Sequence, residues 1–260
     1  MPWQFAAATD IGGRSEQQDR LAVLHSADGC SHLLILADGM GGHRDGAIAA
    51  QAVVDTARKR FPRGDIDDPR SFLESLCAET HLAIRALEPG PGNAPGSTCA
   101  LLYLRNAEAY WVHVGDSRLY HLRKGELLYR TKDHSKAQLL LERNAGPEPG
   151  AAEGASHQLY MCLGGSNELA PDFNASEVRP DDLFMLCSDG FWGHVEPLEV
   201  AQRIEGIALR NEQARALVEL GRQRANGAGD NLSLVLARWQ GAANKCGRSL
   251  LKSVFQRLRR

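Results

Sequence analysis

Short apolar runs alternate along this chain with stretches in which apolar residues recur every three or four positions, and the two patterns predict different elements. Residues 33–37, 99–104, 110–114, 183–187 and 232–237 are almost wholly apolar, and their length predicts buried strands. Residues 119–131 are punctuated by Lys124-Gly125, which predicts a hairpin. Residues 46–61 place Ile48, Val53, Val54, Ala57 and Phe61 mostly on one side of a helix; residues 70–88 do so with Phe72, Leu73, Leu76, Leu82, Ala83 and Leu87. Shorter helices are expected at 135–143, 197–206 and 210–225. Strands, two helices, a run of strands and then a mixture do not make a regular βαβ alternation. The expected class is therefore α+β, with mainly antiparallel sheets and helices on their outer faces.

At 260 residues and 43% hydrophobic, the chain can bury one sizeable core, and residues 1–240 are expected to form one domain. Residues 144–157 (NAGPEPGAAEGASH) lack apolar periodicity and predict an irregular surface segment. Charge divides unevenly. The tail, residues 241–260, carries Lys245, Arg248, Lys252, Arg257, Arg259 and Arg260 and no acid, which leaves a body of −8 within a total of −2. An acidic body argues against nucleic acid as a partner and suits one that gathers carboxylates around cations. Leu250, Leu251, Val254, Phe255 and Leu258 share one helical face of the tail, so residues 245–260 are either a frayed end or a contact for an anionic membrane or acidic partner. The six cysteines are scattered without a CxxC pair and read as reduced core residues. No leader-like pattern opens the chain and no run of 18 apolar residues occurs, so the expected location is the cytoplasm.

The candidate chemistry lies at strand ends. Three apolar runs stop at an aspartate beside a glycine, at Asp38-Gly39, Gly115-Asp116 and Asp189-Gly190, and a fourth pair, Gly229-Asp230, opens the strand that follows. One such pair is ordinarily a turn. Four brought to one rim would repel one another unless cations intervened, and oxygen donors without His or Cys suit Mg²⁺ or Mn²⁺. Arg14, in GGRSEQQDR with Asp19, is either a plain surface charge or a planar fork able to grip a phosphate.

The ordered segments GGRSEQQDR (12–20), LADGMGGH (36–43), GSTCALLYL (96–104), VHVGDSRLY (112–120), TKDHS (131–135), CLGG (162–165), CSDGFWGHV (187–195) and GDNLSLVLA (229–237) resemble the metal-dependent protein serine/threonine phosphatases, also called type 2C phosphatases, in a bacterial form. The resemblance implies a four-layer α-β-β-α sandwich of two antiparallel sheets flanked by helices. It implies Mn²⁺ or Mg²⁺ as cofactor. Two ions would sit at a core site, bridged by Asp38 with the Gly39 carbonyl and completed by Asp189 and Asp230, with Asp19 on bound water. A third, as in bacterial members, would sit at Asp116 and Asp189. Arg14 would clamp the substrate phosphate, residues 136–163 would form a flap, and water activated by the ions would hydrolyse phosphoserine and phosphothreonine without a phosphoenzyme. The implied partners are phosphoproteins, targets of a eukaryotic-like Ser/Thr kinase, met by a monomer. CSDGFWGHV is also similar to segments of phosphatases associated with type VI secretion.

Gln18 replaces a usual glutamate, and Met40 stands where some members carry a proton-donating histidine, a role His43 does not simply inherit. His134 and Phe191 read as structural, and Trp192 as a core anchor or, if exposed, a docking residue. Two rivals remain. Cys99 and Arg105 have the C-x5-R spacing of cysteine-dependent phosphatases, but the residues between them are strand-like rather than a phosphate-wrapping loop. A catalytically silent phosphoprotein-binding module of the same fold is the other.

Overall fold

The computed structural model describes residues 3–41, 44–61, 66–87, 94–142 and 158–241. Two five-stranded antiparallel sheets lie face to face. One has the order β1-β12-β11-β8-β9, from Trp3–Asp10 (β1), Arg118–Arg123 (β8), Glu126–Arg130 (β9), Leu183–Cys187 (β11) and Leu232–Trp239 (β12). The other has the order β10-β7-β6-β3-β2, from Arg20–His25 (β2), Ser31–Ala37 (β3), Cys99–Arg105 (β6), Glu108–Val114 (β7) and Asp172–Glu177 (β10). Gly39–Met40 (β4) and Gly96–Ser97 (β5) pair separately. Helices Arg44–Arg60 (α1) and Pro69–Arg85 (α2) cover the second sheet; Asp189–Trp192 (α4), Pro197–Arg203 (α5) and Asn211–Arg224 (α6) cover the first, and Lys136–Glu142 (α3) precedes the undescribed residues 143–157.

Three apolar clusters fill the spaces between the four layers. Along β3, Leu33, Ile35 and Ala37 face the helices while Leu34 and Leu36 face the opposite sheet, where they join Trp111, Phe184, Val235 and Trp239. A strand buried on both faces reads as an unbroken apolar run, which is why this one was legible. The Lys124-Gly125 turn has positive φ at both residues, 51° and 76°, as a tight hairpin requires. In α2 the buried stripe is Leu73, Leu76, Cys77, Thr80, His81 and Ile84, a clean helical spacing that leaves Leu82 and Ala83 exposed; Ile48 on α1 is exposed as well, so all three leave the apolar faces assigned to them.

Cys77, Cys99 and Cys187 are buried free thiols and Cys162 is half-buried and free, whereas Cys30 is disulfide-bonded, contrary to the reduced reading; Cys246 lies outside the described residues, as do His43 and the rest of 242–260. No helix among the described residues is long and apolar enough to cross a membrane.

Candidate metal centre

Strand register brings the predicted carboxylates together. Arg20 of β2 pairs with Ala37 of β3, so Asp19 and Asp38, each one residue beyond that pair, meet at the same end. In the other sheet Cys187 pairs with Leu234 and with Arg118, which delivers Asp189, Asp230 and Asp116 to the corresponding end of their strands. Asp116 sits in the crossing from β7 to β8, the point where the chain passes between sheets. The result is a cleft of about 590 Å³ whose lining includes Arg14, Asp38, Gly39, Asp116, Asp189 and Asp230, with Asp19 buried beneath.

Glycine is required here mostly for close approach. A Cβ on Gly39 would stand 2.0 Å from the Gly46 carbonyl oxygen, and one on Gly190 would stand 2.2 Å from that of Asn231. Neither has positive φ; of the four glycines beside the aspartates only Gly115 does, at 100°, so tight packing rather than turn geometry explains the others.

Crowding shows in the electrostatics. Burial, then the charges of Asp19, Asp189, Asp116 and Asp230, push the Asp38 carboxyl well above its ordinary value. Burial also raises Asp19 to about 7 against the opposing hydrogen bonds of Ser233 and Ser188, with Asp189 and Asp230 adding to the rise. Asp116 is raised to about 7 by burial and then by Asp189 and Asp133. Asp19 Oδ1 is buried and accepts no hydrogen bond among the described residues. Oxygen donors alone, mutual repulsion and an orphaned carboxylate oxygen together fit a hard divalent cation. Arg14 lies at the rim, 61% exposed, with its Nη2 donating to Asp230 Oδ2 at 2.6 Å.

Several polar residues that hold this arrangement lie in the motif segments, yet their partners are not legible there. Thr98 Oγ1 accepts the Asp38 N–H at 2.9 Å and contacts Ser117 Oγ at 2.6 Å, joining the loop of one sheet to the crossing into the other. Ser188 Oγ donates to Asp19 Oδ2 at 2.8 Å across the two sheets. Asn231 accepts the Gln18 N–H and donates to the carbonyls of Ile11 and Glu16, fastening the segment that carries Arg14 and Asp19. Trp192, half-buried, donates from Nε1 to the Asp116 carbonyl at 3.0 Å, so it is neither a plain core anchor nor an exposed docking residue; Phe191 is fully buried. The described ends of the expected flap are tied beside the cleft by bridges Ser135↔Leu159 and Ser97↔Leu163, and Leu159 lines it.

Residues 10–223 match the family model described as protein phosphatase 2C. The serine/threonine protein phosphatase PstP of Mycobacterium tuberculosis is 32% identical over 245 residues, which are 90% of this chain and 44% of PstP, so the chain spans less than half of that relative. A structure of the PstP catalytic domain in complex with 2 manganese ions superposes with a TM-score of 0.77 at 29% identity, covering 92% of this chain and 98% of that one. The Streptococcus agalactiae serine/threonine phosphatase gives a TM-score of 0.82 at 26% identity, covering 92% and 100%. PppA of Pseudomonas aeruginosa, described as a key regulatory component of its type VI secretion system, gives 0.74 at 29% identity, covering 92% and 98%.

Proposed function

Because the chain belongs to the protein phosphatase 2C family, we propose that it is a metal-dependent serine/threonine phosphatase acting on phosphoproteins. The observation that carries this reading is the meeting of Asp19, Asp38, Asp116, Asp189 and Asp230 at one end of the sandwich, in a cleft with an arginine at its rim. Asp38, the Gly39 carbonyl, Asp189 and Asp230 would hold two Mn²⁺ or Mg²⁺ ions, with Asp19 beneath them, and Asp116 with Asp189 a third. Such ions supply positive charge to the phosphoryl oxygens and lower the pKa of a water to near neutrality. Arg14 orients the phosphoryl group with its planar fork, and it is the one arginine or lysine lining the cleft among the described residues.

No side-chain nucleophile is needed, and Cys99 is unsuited to be one. It is buried in β6, and its hydrogen bond with Cys77, followed by burial, pushes the thiol far up, away from the reactive thiolate. A phosphothreonine peptide incubated with the full chain and Mn²⁺ is expected to release phosphate, a chelator to stop it, and Asp189→Ala to be nearly inactive. Cys99→Ser is expected to remain active with the same metal requirement. Metal-independent turnover lost in Cys99→Ser would reverse the assignment, and a folded, Mn²⁺-loaded chain that binds the peptide without hydrolysing it would favour the silent binder.

Arg14→Ala is expected to lower kcat/KM about 10–100-fold, the usual worth of a hydrogen bond to a charged group, and Arg14→Lys to recover only part because a point charge lacks the fork. Steady-state kinetics on the same peptide measure both. The physiological substrates would be proteins phosphorylated by a Ser/Thr kinase of the same cell, met in the cytoplasm by a monomer. The relatives' descriptions as serine/threonine phosphatases support the substrate class. A docking role for residues 245–260 falls outside the described residues; cosedimentation with anionic vesicles tests it.

A further inference from the structure

Asp116 differs from the other cleft carboxylates in how its main chain is held. The flanking Gly115 N–H donates to His134 Nδ1 at 3.1 Å, and the Gly115 carbonyl accepts the His134 N–H at 2.9 Å. On the other side Trp192 Nε1 donates to the Asp116 carbonyl at 3.0 Å. Both rings are themselves fixed. The Arg118 guanidinium lies 3.4 Å from the centre of the Trp192 ring and is gripped by both carboxylate oxygens of Asp133, at 2.8 and 2.7 Å. The His134 ring stacks on His113 with centroids 4.5 Å apart, and its Nε2 is 3.3 Å from Asp172 Oδ2.

His113, His134 and Asp172 offer ligand atoms within 4.8 Å of one another, a spacing that would suit a metal. The proton on His134 argues otherwise. A backbone N–H only donates, so His134 Nδ1 facing Gly115 carries the lone pair and Nε2 of the neutral ring carries the proton, directed at the Asp172 carboxylate. A metal at Nε2 would require the proton to move to Nδ1, against the Gly115 N–H. His113 Nε2 faces the Lys132 carbonyl at 2.7 Å and carries that ring's proton, which leaves its Nδ1 buried without a hydrogen-bond partner among the described residues, so it is the pairing of His134 with Asp172 that speaks against a shared ion. Asp172 and His134 therefore form a chain that orients an acceptor toward Gly115, as an outer-shell carboxylate orients a histidine.

We propose that His134 and Trp192 are positioning residues that hold the main chain on either side of Asp116, so that its carboxylate, with that of Asp189, would hold a divalent ion. This rests on the reading of Asp116 as an ion ligand. The physical need is plain: Gly115 has a φ of 100° and Thr98 Cγ2 lies 2.7 Å from where its Cβ would be, so the loop is wedged into one path and two ring nitrogens keep it there.

The test is calorimetric titration of the chelator-stripped full chain with Mn²⁺, for wild type, Asp116→Asn, Trp192→Phe, His134→Leu and His134→Asn. Asp116→Asn is expected to bind one ion fewer. Trp192→Phe keeps an aromatic ring under Arg118 but removes the donor, and it is expected to weaken that ion about 10–100-fold, the usual cost of losing an outer-shell partner. His134→Leu is expected to do the same. His134→Asn restores the affinity, because its Oδ1 stands as many bonds from the backbone as Nδ1 and can accept the Gly115 N–H, whereas a merely space-filling role would favour leucine. If His134→Leu does not fold, Trp192→Phe carries the test. Full stoichiometry and affinity in Asp116→Asn would remove the ligand reading itself. One ion lost in Asp116→Asn, with Trp192→Phe and His134→Leu binding like wild type, would overturn the positioning role alone.

Discussion

Asp38→Asn is expected to lose phosphate release by about 10³-fold or more and, in chelator at pH 7.5, to unfold at a higher temperature than wild type. The first effect follows from removing a carboxylate that would help hold the core ions. The second follows from the crowding it relieves. Burial and four neighbouring aspartates raise the Asp38 carboxyl well above its ordinary value. A carboxyl raised in the folded state holds its proton more tightly there, so ionising it costs stability at every pH above the unfolded value of about 3.9. Asparagine removes that cost, and a gain of about 1–2 kcal/mol, roughly 2–8 °C for a domain this size, is expected at pH 7.5. The gain should vanish below about pH 3, where the wild-type group is protonated in both states. Mn²⁺ reverses the order: at about 100 times its Kd one bound ion adds roughly 2.7 kcal/mol to wild type, and the variant gains less. Thermal unfolding across pH, with chelator and with Mn²⁺, measures all of this. A variant less stable than wild type in chelator would sink the crowding account even if activity were lost.

Asp182→Ala is expected to be the most destabilising single change away from the cleft, costing about 3–5 kcal/mol. Asp182 is completely buried just before β11, at the end of that strand remote from Asp189. Arg123 donates to both its oxygens at 2.6 and 2.7 Å, His121 Nε2 lies 3.0 Å from Oδ2, and the Arg179 N–H donates to Oδ2 at 2.9 Å. Burial alone would raise this carboxyl; the bonds from Arg123, His121 and Arg179 outweigh it and hold it below the usual range. Alanine leaves Arg123 and the buried His121 facing a void. The sign of the pH dependence is opposite to that of Asp38. A depressed carboxyl stabilises above its unfolded value, and that contribution is lost as pH falls through the folded one. Wild type should therefore lose stability below about pH 4 more steeply than Asp182→Ala. Urea unfolding at pH 7 and pH 3 tests it; a difference under about 1 kcal/mol at pH 7 would show that the network adds little. The folded variant should keep its Mn²⁺ dependence, since Asp182 does not line the cleft.

The strands read from the chain and those that escaped notice differ in position within the sheets. β3, β6, β7, β11 and β12 are flanked by neighbours on both sides and covered on both faces, so their sequences are continuous apolar runs. β1, β2 and β10 are edge strands. WQFAAATD is rich in alanine, and DFNASE alternates polar residues whose outer side meets solvent, so neither stands out as a run. β9 is also an edge, and only its hairpin turn revealed it.

The chain by itself determined which segments are buried, where they stop, and that three of the stops and one start carry an aspartate beside a glycine, because burial on both faces and close backbone approach both restrict residue type locally. Only the tertiary structure decided which polar side chains serve those acids. Thr98, Ser188, Asn231, Trp192 and His134 have no assigned partner in sequence; those partners lie between 19 and 220 positions away and are chosen by strand register and by the facing of two sheets. Local periodicity records that a side chain is enclosed. It does not record by what, since that is set when distant strands align.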